Sequence, residues 1–290
     1  MSEVLITGAT GTVGGLVLEE ALRRGVRVRV LVRDKQRAKG LSDAVEVVQG
    51  DLSDREAVRE ALRGTRAAFY VSPHEADEVE LGTIFKEEVE RAGARLVFAG
   101  FHVQDPDQRQ AAARAMPAYE PKLRIAAAFA DSDTRPVLVN LTNFAQNDEI
   151  FREDILNGVF PTPLHPGGVN RVDLRDAAEV VVTALADPDF PAGSYDVVGP
   201  ESLNGEQSAR IWAEELGRPV RYTGDDPNWR EALVARLSGR KLTDWISSFE
   251  VLGSAPIPTD PAQVRAVTEL LGHPPRSFRD YVRDTVAHWR

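Results

Sequence analysis

The apolar run Val4-Leu5-Ile6 stops directly on Thr7-Gly8-Ala9-Thr10-Gly11-Thr12-Val13-Gly14, and a helical pattern carries on from Gly14 to Arg24. A strand that turns into a helix over a glycine-spaced loop leaves few architectures open. Gly8 permits a tight turn, Gly11 lets the backbone approach a pyrophosphate, and Gly14 lets helix and strand pack closely. The first N–H groups of the helix and its positive dipole end then face an anion. This placement predicts dinucleotide binding through Thr7, Gly8, Thr10, Gly11, Thr12, Val13 and Gly14.

The rest of the amino-terminal half keeps the same rhythm. Short β-branched runs at Val26 to Val32, Val45 to Val48, Ala67 to Val71, Leu96 to Ala99 and Val137 to Val139 alternate with helical patterns at Asp54 to Leu62, Glu78 to Ala92 and Lys122 to Ala130. A repeat of about 25 residues is how βα units of a parallel sheet read, and right-handed crossovers make that sheet doubly wound. Ser53 with Glu56 reads as a capping box for the second helix. The fold class is therefore α/β, a doubly wound parallel sheet with its ligand crevice at the carboxyl ends of the strands. After Asn140 the rhythm loosens. Prolines and glycines crowd 161–168, strand-like pieces recur at Arg171 to Leu174, Ser194 to Val198 and Val220 to Tyr222, and helices at Asp176 to Leu185 and Glu206 to Leu216 precede a helical carboxyl-terminal stretch. The expectation is one domain over 1–290, with a nucleotide-binding core at 1–145 and a small substrate lobe built mainly from 146–170 and 200–290.

Composition removes several alternatives. With no cysteine, the chain has no thiolate zinc site, iron–sulfur cluster, disulfide framework or cysteine nucleophile. A net charge of −10 disfavours attraction to nucleic acid or an anionic membrane. Nowhere do 18 uncharged apolar residues run together. The five histidines lack metal-ligand spacing, and neither a Gly-x-Ser-x-Gly elbow nor a Walker lysine is present. The expectation is a cytoplasmic monomer or homodimer that handles a small molecule, with no metal, nucleic acid or membrane.

Against that acidic background, the stretch from Arg23 to Lys39 holds eight basic residues and one acidic residue, Asp34. Arg33 stands where the second strand exits into the crevice. In dinucleotide folds an acidic side chain here accepts from the adenosine ribose, whereas a basic one accommodates a 2′-phosphate. Arg33, with Lys35 or Arg37, is placed to grip that phosphate through charge-assisted forked bonds, so NADP(H) is favoured and Asp34 keeps NAD(H) open. Gly50-Asp51-Leu52 closes the third strand beside the expected adenine position. There Asp51 either accepts from the adenine amino group or caps the following helix. Ser72, Pro73 and His74 follow the fourth strand on the pyrophosphate and nicotinamide-ribose side.

Thr7 to Gly14, Arg33, Gly50-Asp51-Leu52, Lys122 and Asn143-Phe144 together resemble the NmrA-like group of atypical short-chain dehydrogenase/reductases. Val172-Asp173-Leu174-Arg175-Asp176, Val198-Gly199-Pro200-Glu201 and Leu271-Gly272-His273-Pro274-Pro275 extend the resemblance over nearly the whole chain. It implies a Rossmann domain that binds NAD(P), usually NADP(H). It also implies either a reductase of quinone, azo or isoflavonoid type or a protein with little catalysis that senses the NADPH/NADP ratio and regulates partners. Lys122 matches the family's lysine, whose role would be to hold the nicotinamide ribose and place positive charge beside the reacting centre. Asn143 and Phe144 would border the nicotinamide face. The family's Arg-Pro is replaced here by Asn140-Leu141.

The usual catalytic set of this superfamily is missing. Four residues before the five lysines stand Leu31, Lys35, Gly82, Ala118 and Leu237, so no tyrosine takes that position, and the fifth strand ends on Ala99-Gly100 without a serine. Tyr119, three residues before Lys122, is either a shifted proton donor or a packing aromatic, and Pro121 places it just outside the helix. His102 is a titratable candidate beside the crevice, and a packing histidine is its plainer reading. The tryptophans, all in the carboxyl-terminal third, fit either lobe packing or a pocket for a flat substrate. The functional expectation is an NADPH-dependent oxidoreductase acting on a flat conjugated acceptor such as a quinone, with a non-catalytic NADPH-sensing protein as the alternative. If Arg33 is the phosphate grip, Arg33→Ala should weaken NADPH binding about tenfold to a hundredfold and leave NADH almost unchanged in a calorimetric titration. Equal losses for both nucleotides would contradict the assignment.

Overall fold

The computed structural model describes residues 3–38, 40–73, 75, 77–102, 114 and 117–289. From the amino terminus run β1 (Glu3–Thr7), α1 (Thr12–Arg23), β2 (Val28–Val32), β3 (Val45–Gln49), α2 (Arg55–Leu62), β4 (Thr65–Val71), α3 (Glu78–Ala92), β5 (Arg95–Phe101), α4 (Glu120–Ala130) and β6 (Val137–Leu141). They are followed by β7 (Asn143–Phe144), α5 (Arg152–Leu156), β8 (Val159–Phe160), β9 (Val169–Val172), α6 (Leu174–Ala186), β10 (Gly193–Val197), β11 (Ser202–Leu203) and α7 (Gly205–Leu216). The chain continues through β12 (Arg221–Tyr222), α8 (Trp229–Val234), α9 (Gly239–Ser254), α10 (Pro261–Leu271) and α11 (Phe278–Trp289). The chain divides into two compact units. The first is built from Met1–Gln110, Tyr119–Leu141 and Ala177–Asp196, the second mainly from Thr142–Asp176 and Val197–Arg290.

In the first unit the strands order as β10-β6-β5-β4-β1-β2-β3, and the pairs from β6 through β3 are all parallel. Strand order therefore reverses between β1 and β4, the place where loops on both sides diverge and leave a crevice. Apolar runs without alternation make this possible, because both faces of such a sheet are covered. On one face Leu5, Ala68, Tyr70, Leu96 and Phe98 pack with Val58, Phe85 and Phe129 from α2, α3 and α4. Tyr70, Phe98 and Phe129 meet edge-on or tilted, with centroids 5.1–6.1 Å apart. The residues of opposite parity in β1, Val4 and Ile6, are fully buried as well. α1 lies against β1 and β2, and Arg24 from its end donates to Thr183 of α6 at 2.8 Å.

One local expectation is corrected, and one expected strand takes its place in the main sheet. The cap of α2 is Asp54, whose carboxylate accepts from the N–H groups of Glu56 and Ala57, and not Ser53. Ser53 is drawn instead into a turn closed by Asp51 Oδ1, which accepts from its backbone N–H at 2.9 Å and its hydroxyl at 2.7 Å. An acidic residue two positions ahead competes for that hydroxyl, which the capping pattern alone does not register. The segment expected as a strand at Ser194 to Val198 forms β10, the seventh strand of the main sheet, so that sheet draws on chain well beyond the sixth βα unit.

The second unit has its own core, in which Phe151, Phe160, Trp212, Trp229, Phe249 and Tyr281 are buried and Trp245 and Trp289 pack against them. Trp212 and Trp289 stack with centroids 5.0 Å apart. All four tryptophans thus pack into this core. Asp148, fully buried, accepts from both terminal nitrogens of Arg171 at 2.7 and 3.1 Å, from Trp212 Nε1 at 3.1 Å and from the Thr162 hydroxyl at 3.2 Å. Arg171 in turn donates to Asn143 Oδ1 and the carbonyls of Phe144 and Ala145, and its guanidinium lies 4.7 Å from the Phe278 ring centre.

The motifs around β9 have structural explanations. Asp173 accepts from Gln146 and from the backbone and side chain of Arg175, and buried Asp176 accepts from the backbone and guanidinium of Arg276. Gly199 must be glycine because a Cβ there would stand 1.9 Å from the Arg171 carbonyl oxygen. Removing Asp148 would leave a buried guanidinium unpaired, so Asp148→Ala is expected to cost about 3–5 kcal/mol, read as a fall in the urea midpoint. A midpoint within error of the parent would rule out this pair as a cornerstone of the second unit.

Candidate functional site

At the carboxyl end of β1 the chain turns through Gly8, whose φ of +66° is left-handed, and Gly11 N–H donates back to the Gly8 carbonyl at 2.9 Å. A Cβ on Gly8 would also run into Val71 at 2.6 Å. The closest approach is at Gly14, where a Cβ would lie 2.3 Å from Gly8 O and 2.9 Å from Thr7 O. Glycine at this position is what allows α1 to begin so near the strand. The Thr7 hydroxyl anchors the turn by donating to the Phe69 carbonyl of β4 at 3.0 Å.

The resulting helix terminus suits an anion. Its cap is Gly11, which supplies no side-chain hydrogen bond, and no acidic residue stands in the first turn. Thr10, Gly11 and Thr12 are exposed and Val13 is half-buried. Backbone donors at a positive dipole end, without a carboxylate to satisfy them, are what a pyrophosphate needs. The cradle thus fits a dinucleotide on stereochemical grounds.

On the β2 side, Arg33 extends from the strand end with 63% of its side chain exposed. Its Nη1 lies 3.3 Å from Glu75 Oε1 and its Nε 4.0 Å from Asp51 Oδ2. Asp51 is held below its ordinary pKa first by the Ser53 backbone N–H and then by the Ser53 hydroxyl, against a smaller opposing effect of burial, with Arg33 adding to the fall. Asp34 Oδ1 accepts from the Gln36 N–H at 2.8 Å, which holds its carboxylate in the local turn. Lys35 is exposed at the head of the short 3-10 turn Lys35–Ala38. The side chain of Arg37 and all of His74 lie outside the described residues. Leu52 is half-buried and packs against the α2 and α3 core.

On the β4 side a second cluster gathers around Glu78, the first residue of α3. Its carboxylate is 1% exposed, accepts from the Ser72 hydroxyl at 2.5 Å and pairs with Lys122 Nζ at 2.8 Å. Pro73, beside Ser72, is half-buried. Tyr70 is buried near this group, and desolvation together with the Glu78 charge pushes its phenol well above the ordinary range. Tyr119 caps α4 ahead of Pro121. Its ring packs on Phe101 with centroids 4.5 Å apart and stands 5.9 Å from Lys122 Nζ.

His102 is buried just past β5, where its backbone N–H continues the ladder to Leu141 O. Its Nδ1 is 3.2 Å from Asp196 Oδ1 but off the line of a hydrogen bond. Asn140 donates to that same carboxylate oxygen at 3.0 Å and to the Ser194 hydroxyl at 2.8 Å. Asn143 and Phe144 form β7 in the second unit, paired with β9.

The sequence profile of the NmrA-like family matches residues 1–281. The chain belongs to the NmrA-like family. It is 31% identical over 285 residues to the (4-alkanoyl-5-oxo-2,5-dihydrofuran-3-yl)methyl phosphate reductase of Streptomyces griseus, with 96% of each chain covered. To the NAD(P)H azoreductase of Xenophilus azovorans it is 27% identical over 284 residues, covering 97% of this chain and 96% of the relative. Its fold superposes on that of an NADPH-dependent quinone oxidoreductase from Escherichia coli, solved with NADPH, at a TM-score of 0.79 and 20% identity, covering 99% of both chains.

In this NmrA-like chain, sequence reading singled out the glycine loop, Arg33, Ser72 and Lys122 as candidates but not Glu75 and Glu78, which the structure pairs with Arg33 and Lys122. Glu78 had one available signal: it is a glutamate opening a helix directly after the fourth strand, on the same side as Lys122. Glu75 had none, since its partner is 42 residues away. Among the described residues no group of three or more metal-ligating side chains gathers, and no helix is long and apolar enough to cross a membrane. Because a Gly14 side chain has only backbone to displace, Gly14→Ala should lower stability by about 1–3 kcal/mol in urea titration and remove nucleotide binding. An unchanged midpoint would show that α1 does not approach the turn this closely.

Proposed function

We propose that this protein is an NADP(H)-binding atypical short-chain dehydrogenase/reductase that reduces a flat conjugated acceptor of the quinone or azo kind. The observation that carries the reading is the α1 terminus. Its backbone donors are uncapped, no acid stands in its first turn, and Gly8 and Gly14 hold it where side chains would collide. Thr7, Gly8, Thr10, Gly11, Thr12, Val13 and Gly14 would hold the pyrophosphate, and Arg33 with Lys35 or Arg37 the 2′-phosphate. Asp51 and Leu52 would border the adenine, and Ser72, Pro73 and His74 the pyrophosphate and nicotinamide-ribose side. The azoreductase and the NADPH-bound quinone oxidoreductase support a nicotinamide nucleotide and an unsaturated acceptor. NAD(H) stays within reach because Asp34 and Asp51 stand beside Arg33.

When bound, NADPH supplies the hydride. The chain must provide orientation and a countercharge for the anion that the acceptor becomes, and one proton completes the reduction. Lys122 is suited to the charge role because Glu78 fixes its ammonium at 2.8 Å, so that no reorganisation is needed as the anion forms. A quinone or azo acceptor, once reduced, takes its proton from water, which accommodates the missing Tyr-x-x-x-Lys pair. Tyr119 and His102 would be the protein groups to assist.

Spectrophotometry at the NADPH absorbance with a panel of quinones, azo dyes and enones should show multiple turnovers. Lys122→Ala should cut kcat about tenfold to a hundredfold and weaken NADPH binding by a smaller factor, since the same lysine would hold the nicotinamide ribose. Stoichiometric binding without consumption of NADPH across the panel would replace the enzyme by the nucleotide-sensing alternative.

A further inference from the structure

Arg33 carries more acid than a phosphate-gripping arginine needs. It stands one residue past β2, whereas Glu75 stands four residues past β4, and β1 with its glycine loop lies between those strands. Their 3.3 Å contact therefore bridges the strand end on which the glycine loop sits. From the other side Asp51, beyond β3, brings a second carboxylate to within 4.0 Å. The side chains of Arg33, Glu75 and Asp51 are 63%, 45% and 42% exposed. An ion pair this wet adds little to folding, because Coulomb gain in water barely offsets the ordering of two long side chains. Its effect falls instead on whatever anion approaches Arg33.

We propose that Glu75 is a specificity-determining residue that competes with the adenosine 2′-phosphate for the Arg33 guanidinium. The inference rests on the nucleotide reading above. A 2′-phosphate with charge near −2 would claim the guanidinium through forked, charge-assisted bonds. Glu75 must then give up its partner and remain as an uncompensated carboxylate beside the phosphate, where like charges at contact distance repel even in water. A ribose 2′-hydroxyl makes no such demand, and the Arg33–Glu75 pair persists when NADH binds. The acid thus lowers affinity for NADPH alone and narrows the preference that the basic run from Arg23 to Lys39 implies. Asp51 adds to the same effect but also borders the adenine position, which makes Glu75 the cleaner residue to test.

Isothermal titration of the whole protein with NADPH and with NADH distinguishes the outcomes. Glu75→Gln keeps the shape and removes the charge. It should tighten NADPH about threefold to tenfold and leave NADH within about twofold. In an Arg33→Ala background the same substitution should have no effect on NADPH, since the contested group is gone. Unchanged or weaker NADPH binding by Glu75→Gln, equal tightening of both nucleotides, or a gain that survives Arg33→Ala would each overturn the proposal. Failure of the parent protein to bind either nucleotide would instead overturn the nucleotide reading on which it rests. Thermal midpoints within error of the parent for Glu75→Gln would show that the variant is folded and the affinities comparable.

Discussion

The contact between Gly14 and the carbonyl of Gly8 sets the position of everything around the crevice. With 2.3 Å between that oxygen and the point where a Cβ would stand, α1 begins immediately over the end of β1, and its first amides face outward from the turn. A helix displaced by even one methyl would carry those donors away from the strand end. Thr7 reinforces the position by bonding across to Phe69 of β4. The switch point of the sheet, the helix dipole and the diverging loops after β2 and β4 then meet at one place, where the backbone offers donors suited to an anion.

Charge is distributed around this backbone site in two unlike ways. On the β4 side, the Glu78 carboxylate is almost fully buried and takes the Ser72 hydroxyl and the Lys122 ammonium together, so this arrangement is fixed and costly to break. On the β2 side, Arg33, Glu75 and Asp51 are wet and weakly bound to one another. A rigid cation at one end of a crevice suits a role in chemistry, where geometry must not change during the reaction. A loosely held cation at the other end suits discrimination among ligands, where small differences in affinity decide the outcome. The second unit follows the first pattern in its core, with Asp148 and Arg171 satisfying each other and Trp212 and Thr162 besides.

Much of the fold was legible because parallel βα units write local signals: β-branched runs for strands buried on both faces, amphipathic helices between them, and glycines where the backbone has no alternative. The missing Tyr-x-x-x-Lys pair was legible for the same reason, being a matter of spacing. The Ser53 cap misled because two acceptors, Asp51 and Asp54, flank one hydroxyl, and their competition is settled by turn geometry. The tryptophans were ambiguous because an aromatic packs equally well in a core or a pocket, and their contacts assign them to the core, Trp212 with Trp289 and Tyr281, and Trp229 and Trp245 with Phe249.

The order of strands and helices, the glycine turn and the lack of thiol chemistry belong to the sequence itself, since they are read from residue types and residues close together in the chain. Which carboxylates hold Arg33 and Lys122 was decided only in three dimensions. Glu75 and Glu78 lie 42 and 44 residues from those partners and reach them because β4 pairs with β1 and α3 lies beside α4. Electrostatic partnership depends on distance through space, and distance along the chain carries no record of it once the sheet order departs from the chain order.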